Sequence, residues 1–315
     1  MIVEQVREAV REGGLLLPTH PVVAMVSGGR DSVCLLDVAV ALCAAGSVRA
    51  LHVNYGLRGK ESDEDERHCA ALCQALGVEI EVVRAHREDG EAGNLQAWAR
   101  EVRYAAAMEL AERDDAVVAT GHTASDQVET ILYRLAASPG RRALLGMKIA
   151  EGRLVRPLLG VTRAQTGAYC EARGLSWRED ESNDSDAYAR GRVRGGLAPA
   201  LRAVHPAAEA NVLRTASLLR EETELLDGLV ADALGGGQSI ALARLQELPA
   251  ALARLVVVSL TEAAAGTYVP QAGDRVEELL ELGRRGDGRL ELHVGGNVSA
   301  RIEDGRLSMV KLPPR

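Results

Sequence analysis

Val22-Val23-Ala24-Met25-Val26-Ser27-Gly28-Gly29-Arg30-Asp31-Ser32 leads directly into the apolar-periodic Val33, Leu35, Leu36 and Val40. A short apolar run, a turn of small residues and then a 3.6-residue period read as a buried strand entering a helix. In a parallel α/β sheet such a junction lies at the carboxyl edge, where ligands bind. Gly28 and Gly29 remove side chains where the backbone must come close to something or take positive φ, and Ser27, Asp31 and Ser32 are helix-capping types. The first-turn N–H groups then face a space suited to a phosphate, since unpaired amides and the helix dipole both favour an anion. The common phosphate loop, Gly, four residues, Gly-Lys-Ser/Thr, is absent: Ser27 to Ser32 lacks both the length and the lysine.

Outward from this junction the alternation continues. Val3 to Glu12 is predicted as a leading helix, Asp31 to Ala45 as the helix after the first strand, and Val48 to Val53 as a second strand. Asp63 to Leu76 (helix), Glu79 to Arg84 (strand), Asn94 to Arg113 (helix) and Ala116 to Thr120 (strand) follow, with Leu154-Val155 as a short fifth strand. Strands separated by helices of this length require crossover connections and a parallel sheet, with helices on both faces. Beyond Thr162 the pattern becomes helical, clearest at Arg163 to Arg173 and Glu209 to Leu226, and Gly235-Gly236-Gly237 reads as a loop. Helices at Leu242 to Glu247, Ala250 to Ala264 and Arg275 to Leu282, then short strands at Arg289 to Val294, Asn297 to Ile302 and Arg306 to Val310, predict a small α+β domain. The expected organisation is an α/β domain over 1–160, a basic helical region over 161–230 that completes it, and the α+β domain over 231–315.

Composition narrows the function class. The 315 residues are 47% hydrophobic with 3% aromatics and no Phe, so Ala, Leu and Val must fill the core. No run approaches the length of a membrane span and Met1 to Gly14 has no signal-peptide pattern, so a soluble, cytoplasmic protein is expected. Five cysteines without a CxxC pair fit reduced thiols, and Cys69 and Cys73, four apart on one helix, fit core packing. The net charge of −8 is unevenly spread: residues 1–133 carry 12 basic against 22 acidic residues, 134–220 carry 15 against 8, and 221–315 carry 10 against 15. A basic island inside an acidic chain suits a polyanion such as nucleic acid, or else is an Arg-rich solvated helical face.

Further motifs fall on the same sheet edge. The second strand ends in Leu51-His52-Val53-Asn54-Tyr55-Gly56-Leu57-Arg58, where His52 and Asn54 could hold a purine or ribose or simply finish the strand. Asn94 to Tyr104 carries Arg100 and Arg103, whose guanidinium forks match phosphate oxygens. The fourth strand runs into Gly121-His122-Thr123-Ala124-Ser125-Asp126-Gln127-Val128-Glu129-Thr130, a second strand-to-helix junction. His122, Asp126 and Glu129 share one helical face if the helix begins early; the carboxylates could hold an amine, or all three could be capping residues.

Taken in order, SGGRDS, HVNYGLR, NLQAWAREVRY, GHTASDQVET, Arg156-Pro157-Leu158-Leu159, Glu179-Asp180-Glu181-Ser182-Asn183 and Arg190-Gly191-Arg192-Val193-Arg194 resemble the tRNA(Ile)-lysidine synthetase family of pyrophosphate-loop ATP pyrophosphatases, over about Val22 to Leu219. The resemblance implies a Rossmann-like fold and a ligase that forms a carbon–nitrogen bond. Its members join L-lysine to C2 of the wobble cytidine in an isoleucine tRNA with a CAU anticodon, using ATP with Mg²⁺ and releasing AMP and pyrophosphate. By the same resemblance Ser27, Gly28, Gly29, Arg30, Asp31 and Ser32 would cradle the pyrophosphate, with His52 and Gly121 beside the nucleotide, Asp31 helping to place Mg²⁺ or the polyphosphate. Arg100 would offset transition-state charge, His122 would lie near the adenylated oxygen, and Asp126 and Glu129 would grip or deprotonate the amine. Arg190, Arg192 and Arg194 would contact tRNA phosphates, and a homodimer is possible.

This chain departs from the family pattern at several places. Tyr55 replaces a common His, and Thr123 and Ser125 replace a frequent His and Asp. Ala137, Ser138 and Ala143 replace an Arg and glycines before Gly146-Met147, so the loop from Ser138 to Leu145 is expected to differ in shape, and Gly191 replaces a common Asn. The chain resembles the shorter members, with one small C-terminal domain. The rival readings are a tRNA thiolase of the same loop family, although the clustered cysteines of an iron–sulfur thiolase are missing, and a non-catalytic nucleotide sensor.

Overall fold

The computed structural model describes residues 1–87, 94–137, 140–178, 189–285 and 289–313, with the backbone alone at 189, 190 and 285. The first part runs α1 (Ile2–Glu12), β1 (Val22–Met25), α2 (Arg30–Leu42), β2 (Val48–Asn54), α3 (Lys60–Leu76), β3 (Glu79–Arg84), α4 (Leu95–Arg113), β4 (Val117–Ala119), α5 (Ala124–Ala137), β5 (Ala150–Glu151), β6 (Leu154–Val155) and α6 (Arg163–Arg173). The strands form one sheet in the order β3-β2-β1-β4-β6-β5, parallel throughout except for the β5–β6 hairpin. β5 escapes prediction because two exposed residues carry no period.

Both faces of β1 are covered, which is why it reads as an unbroken apolar run. Val22, Ala24 and Val26 pack with residues of α1, α2, α3 and α6, whereas Val23 and Met25 pack with Ala107, Leu110 and Ala111 of α4. With no Phe available, the largest fully buried side chain is Tyr169. β1 lies between β2 and β4, so the chain turns from building one side of the sheet to the other across it, and the crevice outside the carboxyl ends opens there.

The remaining helices are α7 (Ala189–Arg192), a π-helical turn (Val193–Leu197), α8 (Ala198–Val204) and α9 (Ala208–Leu234). Then come β7 (Ser239–Ala241), α10 (Leu242–Glu247), α11 (Ala250–Ala265), a 3₁₀ turn (Pro270–Arg275), α12 (Val276–Arg285), β8 (Leu290–Gly295), β9 (Val298–Glu303) and β10 (Arg306–Lys311). The strands make an antiparallel sheet in the order β7-β10-β9-β8, with its own core around Val256, Leu260, Leu279 and Leu307. α9 outruns the expected Leu226, and α7, α8 and β7 are additions to the predicted elements. Two compact units result, Met1–Ala137 with Leu145–Arg214, and Ser138–Leu144 with Thr215–Arg315. Arg142 explains why a short loop segment belongs to the second unit: it binds Asp227 at 2.9 Å and Glu262 at 2.5 Å. Among the described residues no helix is long and apolar enough to cross a membrane.

One buried carboxylate fixes α2, the helix that the glycine turn launches. Asp37 is 2% exposed and accepts hydrogen bonds from Tyr169 Oη at 2.5 Å, Arg173 Nε and Nη2 at 3.0 Å each, and Arg7 Nη2 at 3.4 Å. This ties α2 to α1 and α6. Burial works to raise the Asp37 pKa, but the Arg173 and Tyr169 bonds outweigh it and hold the group below its ordinary value. A depressed carboxylate contributes stability that is complete above its unfolded value of about 4 and is lost as pH falls through the lower folded value. Urea melts at a series of pH values should therefore show the wild-type midpoint falling below about pH 4, and Asp37→Asn should be less stable at neutral pH with a flatter acid limb. Equal acid slopes in the two proteins would refute this assignment.

The two strand-to-helix turns touch. A Cβ added at Gly121 would stand 3.1 Å from Asp31 C, Asp31 O and Ser32 N, backbone atoms that would have to give by a few tenths of an ångström. Gly121→Ala should therefore cost about 1–3 kcal/mol in urea unfolding, whereas Gly160→Ala, which meets nothing within 4 Å, should be close to neutral.

Candidate active site

The loop after β1 is shaped by Gly28, whose φ of +87° lies in the region L side chains rarely adopt. Its turn is stitched by Ser32, whose hydroxyl donates to Gly29 O at 2.8 Å and accepts from Ser27 N at 3.2 Å. The capping reading of Ser27, Asp31 and Ser32 is corrected here: Gly29 is the N-cap of α2, and no side chain caps the helix. Ser32 is turned back into the loop. The start of this 13-residue helix has no side-chain cap, and the dipole of such a helix start favours an anion.

On β2, His52 is buried; its Nδ1 lies 2.9 Å from Val26 O, and Nε2 is buried with no hydrogen-bond partner among the described residues. Asn54, the other candidate there, is spent on structure: Nδ2 donates to Glu66 at 2.8 Å and Asp63 at 3.3 Å, and Oδ1 accepts from Gly56 N. The bonds from Arg84 and Asn54 pull the Glu66 carboxyl down to about 2.

The turn after β4 builds the acidic side. Thr123 and Asp126 cap each other, Thr123 N and Oγ1 both donating to Asp126 Oδ2 at 2.8 Å and Asp126 N to Thr123 Oγ1 at 3.3 Å. α5 consequently begins at Ala124, so the expectation that His122 stacks with Asp126 and Glu129 on one helical face is not met. His122 precedes the helix, its Nδ1 2.8 Å from Thr120 Oγ1, while Asp126 and Glu129 alone share the face.

Two arginines meet the acids. Arg163 donates to Asp126 Oδ1 at 2.8 Å, Glu129 Oε1 at 3.2 Å and Asp31 Oδ2 at 3.4 Å, joining both turns. Arg194 donates to Glu129 Oε1 at 2.9 Å and Oε2 at 3.0 Å, and to Asp126 Oδ1 at 3.5 Å. Glu129 is only 4% exposed. Thr166 Oγ1 also donates to Asp31. Burial raises the Asp31 pKa, with Asp126 adding to the rise against Thr166 and Arg163. At Asp126 burial pushes the same way, but Arg163 and Thr123 win and lower it. The uncapped start of α2 thus lies beside a group of carboxylates that holds two arginines.

Arg163 escapes notice in the sequence, where it reads as the first residue of a helix. A signal existed: an arginine in the first turn of a helix opposes the dipole and needs nearby carboxylates. Gln127 is equally hidden. Its carboxamide accepts from Met147 N at 2.6 Å and donates to Met147 O at 3.0 Å, while Arg134 donates to Gly146 O at 2.6 Å and Arg156 to Lys148 O at 2.6 Å. These side chains pin the segment that returns from α5 to the sheet.

The family departures acquire local roles. Thr123 is the α5 cap, Ser125 Oγ accepts the Arg163 amide at 3.2 Å, and Tyr55 donates to Ala99 O at 3.0 Å with its ring edge-on to Trp98. Arg100 stands on α4, stacked over Tyr104 at 4.5 Å, in a contact separate from the acidic group. Arg192 is exposed and Arg194 half-buried on Glu129. The Arg190 side chain, the 179–183 motif and Ser138 lie outside the described residues.

A family model described as the PP-loop domain matches residues 2–201. Among known relatives, the tRNA(Ile)-lysidine synthase of Symbiobacterium thermophilum is 34% identical over an alignment covering all of this chain and 70% of that protein. Those of Geobacter sulfurreducens and Pseudomonas syringae pv. tomato are 36% and 39% identical over 92% and 68% of this chain. The chain spans 65% of the Geobacter protein and 48% of the Pseudomonas one. In solved structures, the U34-tRNA thiolase NcsA from Methanococcus maripaludis superposes with a TM-score of 0.58 at 17% identity, over 70% of this chain and 79% of that one, which speaks for the fold alone. By the extent of the PP-loop match and of the whole-chain relative, the chain belongs to the PP-loop proteins and, among them, to the tRNA(Ile)-lysidine synthase family.

Proposed function

We propose that this chain ligates L-lysine to the wobble cytidine of an isoleucine tRNA with a CAU anticodon, in two steps at one crevice. The observation that carries the reading is the juxtaposition of the uncapped start of α2 with the Asp126–Glu129 face, an anion end and an ammonium end bridged by Arg163. In the first step cytidine O2 attacks the α-phosphorus of ATP and pyrophosphate leaves, its charge received by the Ser27 to Ser32 loop through the Gly28, Arg30 and Asp31 amides and by the Arg30 side chain. In the second the lysine ε-amine attacks C2, giving a proton to Asp126 or Glu129, and AMP departs with the former O2. An amide-like oxygen is a very poor leaving group; adenylation converts it into a good one.

Asp31 is the carboxylate in reach of the loop, and a magnesium ion bound through one carboxylate and substrate phosphates fits such a donor set. When bound, that ion would neutralise polyphosphate charge. His52 Nε2, buried and without a protein partner, suits a nucleotide polar group, and Arg100 and His122 are assigned to charge developing on the phosphate and the adenylated oxygen. Arg190, Arg192 and Arg194, in the basic part of 161–230, are assigned to tRNA phosphates.

Incubation with ATP, Mg²⁺, lysine and the tRNA should release AMP and pyrophosphate, not ADP, and produce a cytidine heavier by a lysyl unit on mass spectrometry. Asp31→Asn, which keeps an acceptor for the Thr166 hydroxyl, should abolish adenylation. Glu129→Gln should still form adenylated tRNA but slow lysine transfer by about 10²–10⁴. ADP as main product would overturn the reaction, and failure of labelled AMP to accumulate on tRNA in Glu129→Gln would overturn the division of roles.

A further inference from the structure

The oxygens of the proposed amine site are already occupied. Asp126 Oδ2 accepts both from Thr123 N and from Thr123 Oγ1, and Oδ1 is held by Arg163 at 2.8 Å. Arg163 also takes one side of Glu129 Oε1. What remains is the second side of Glu129 Oε1, all of Oε2 and the outer side of Asp126 Oδ1, and Arg194 covers all three at 2.9, 3.0 and 3.5 Å. An ammonium group offers three donors and needs these same oxygens. The obstacle is occupancy: the oxygens an ammonium would need are the ones these two guanidiniums hold.

The two arginines are mounted differently. Arg163 is the first residue of α6, where Thr162 and Gln165 form a reciprocal cap and Ser125 holds its amide, and it spans all three acids. Arg194 lies in the π-helical turn Val193–Leu197, immediately before Gly195 and Gly196, and a Cβ at Gly196 would meet nothing within 4 Å. π turns are costly local geometries that cluster at functional sites. Arg192, two residues earlier, is exposed. The same short segment therefore presents one cation outward and one inward.

We propose that Arg194 is a place-holder for the substrate ammonium: it fills the amine site until RNA phosphates draw it away, so that lysine is admitted only when RNA is bound. The proposal rests on the lysine-ligating reading above. A guanidinium moves readily between carboxylate and phosphate partners because both accept its fork.

Calorimetric titration of L-lysine into the full chain, with and without a saturating amount of the isoleucine tRNA and with no ATP, tests this. Lysine should bind at least about tenfold more tightly with tRNA present, and by reciprocity lysine should tighten tRNA binding by the same factor. Arg194→Gln should bind lysine without RNA nearly as tightly as wild type does with it, abolishing the coupling, whereas Arg163→Gln should gain nothing. Equal lysine affinity in wild type with and without tRNA overturns the proposal, as does an Arg194→Gln protein that melts like wild type yet binds lysine no more tightly. If Arg194→Gln does not fold, the wild-type comparison decides alone. A wild type that ligates lysine into tRNA without coupling defeats only the place-holder; one that never ligates lysine defeats the underlying reading as well.

Discussion

Everything at the sheet's open edge depends on one guanidinium. Asp31 belongs to the first strand-to-helix turn and Asp126 and Glu129 to the second, and without a cation between them the three half-buried or buried carboxylates would repel. Arg163 cancels that repulsion and, being planar and forked, also sets the spacing of the two turns. It does so incompletely. The Asp31 pKa stays raised while that of Asp126 is lowered, so the carboxylate of the first turn is less well compensated than that of the second. Such local frustration is commonly found where a charged ligand supplies what is missing.

The rigidity behind this comes from the middle of α2. Asp37 binds α1 and α6 through Arg7, Tyr169 and Arg173, so α6, which carries Arg163 and Thr166, is locked to the helix that carries Asp31. Buried ion pairs of this kind rarely add net stability relative to apolar packing, but they specify geometry well. Here one network fixes two helices whose opposite ends face the site.

The sheet was legible because its strands are short unbroken apolar runs at helix-length intervals, and the second unit because turn residues separate its final strands. The glycine loop announced itself by composition. Less legible were features decided by tertiary contact: Gly29 instead of a serine as the α2 cap, the start of α5 at Ala124, and the pairing of Arg194 with acids 65 and 68 residues earlier. Local pattern carries no information about which carboxylate a distant arginine will meet. Thr123, Ser125 and Tyr55, which read as losses against the family pattern, each make a hydrogen bond that the substituted residue type suits.

The Gln127 carboxamide deals with Met147 as a neighbouring strand would, one donor and one acceptor facing the main chain of a single residue. A helix thereby lends the returning chain one rung of a ladder. Glutamate has no donor for that rung, asparagine is a methylene too short, and any Cβ at residue 146 would sit 2.6 Å from the Gln127 oxygen. The two positions are therefore coupled: a larger residue at 146 or a different side chain at 127 would each break the rung.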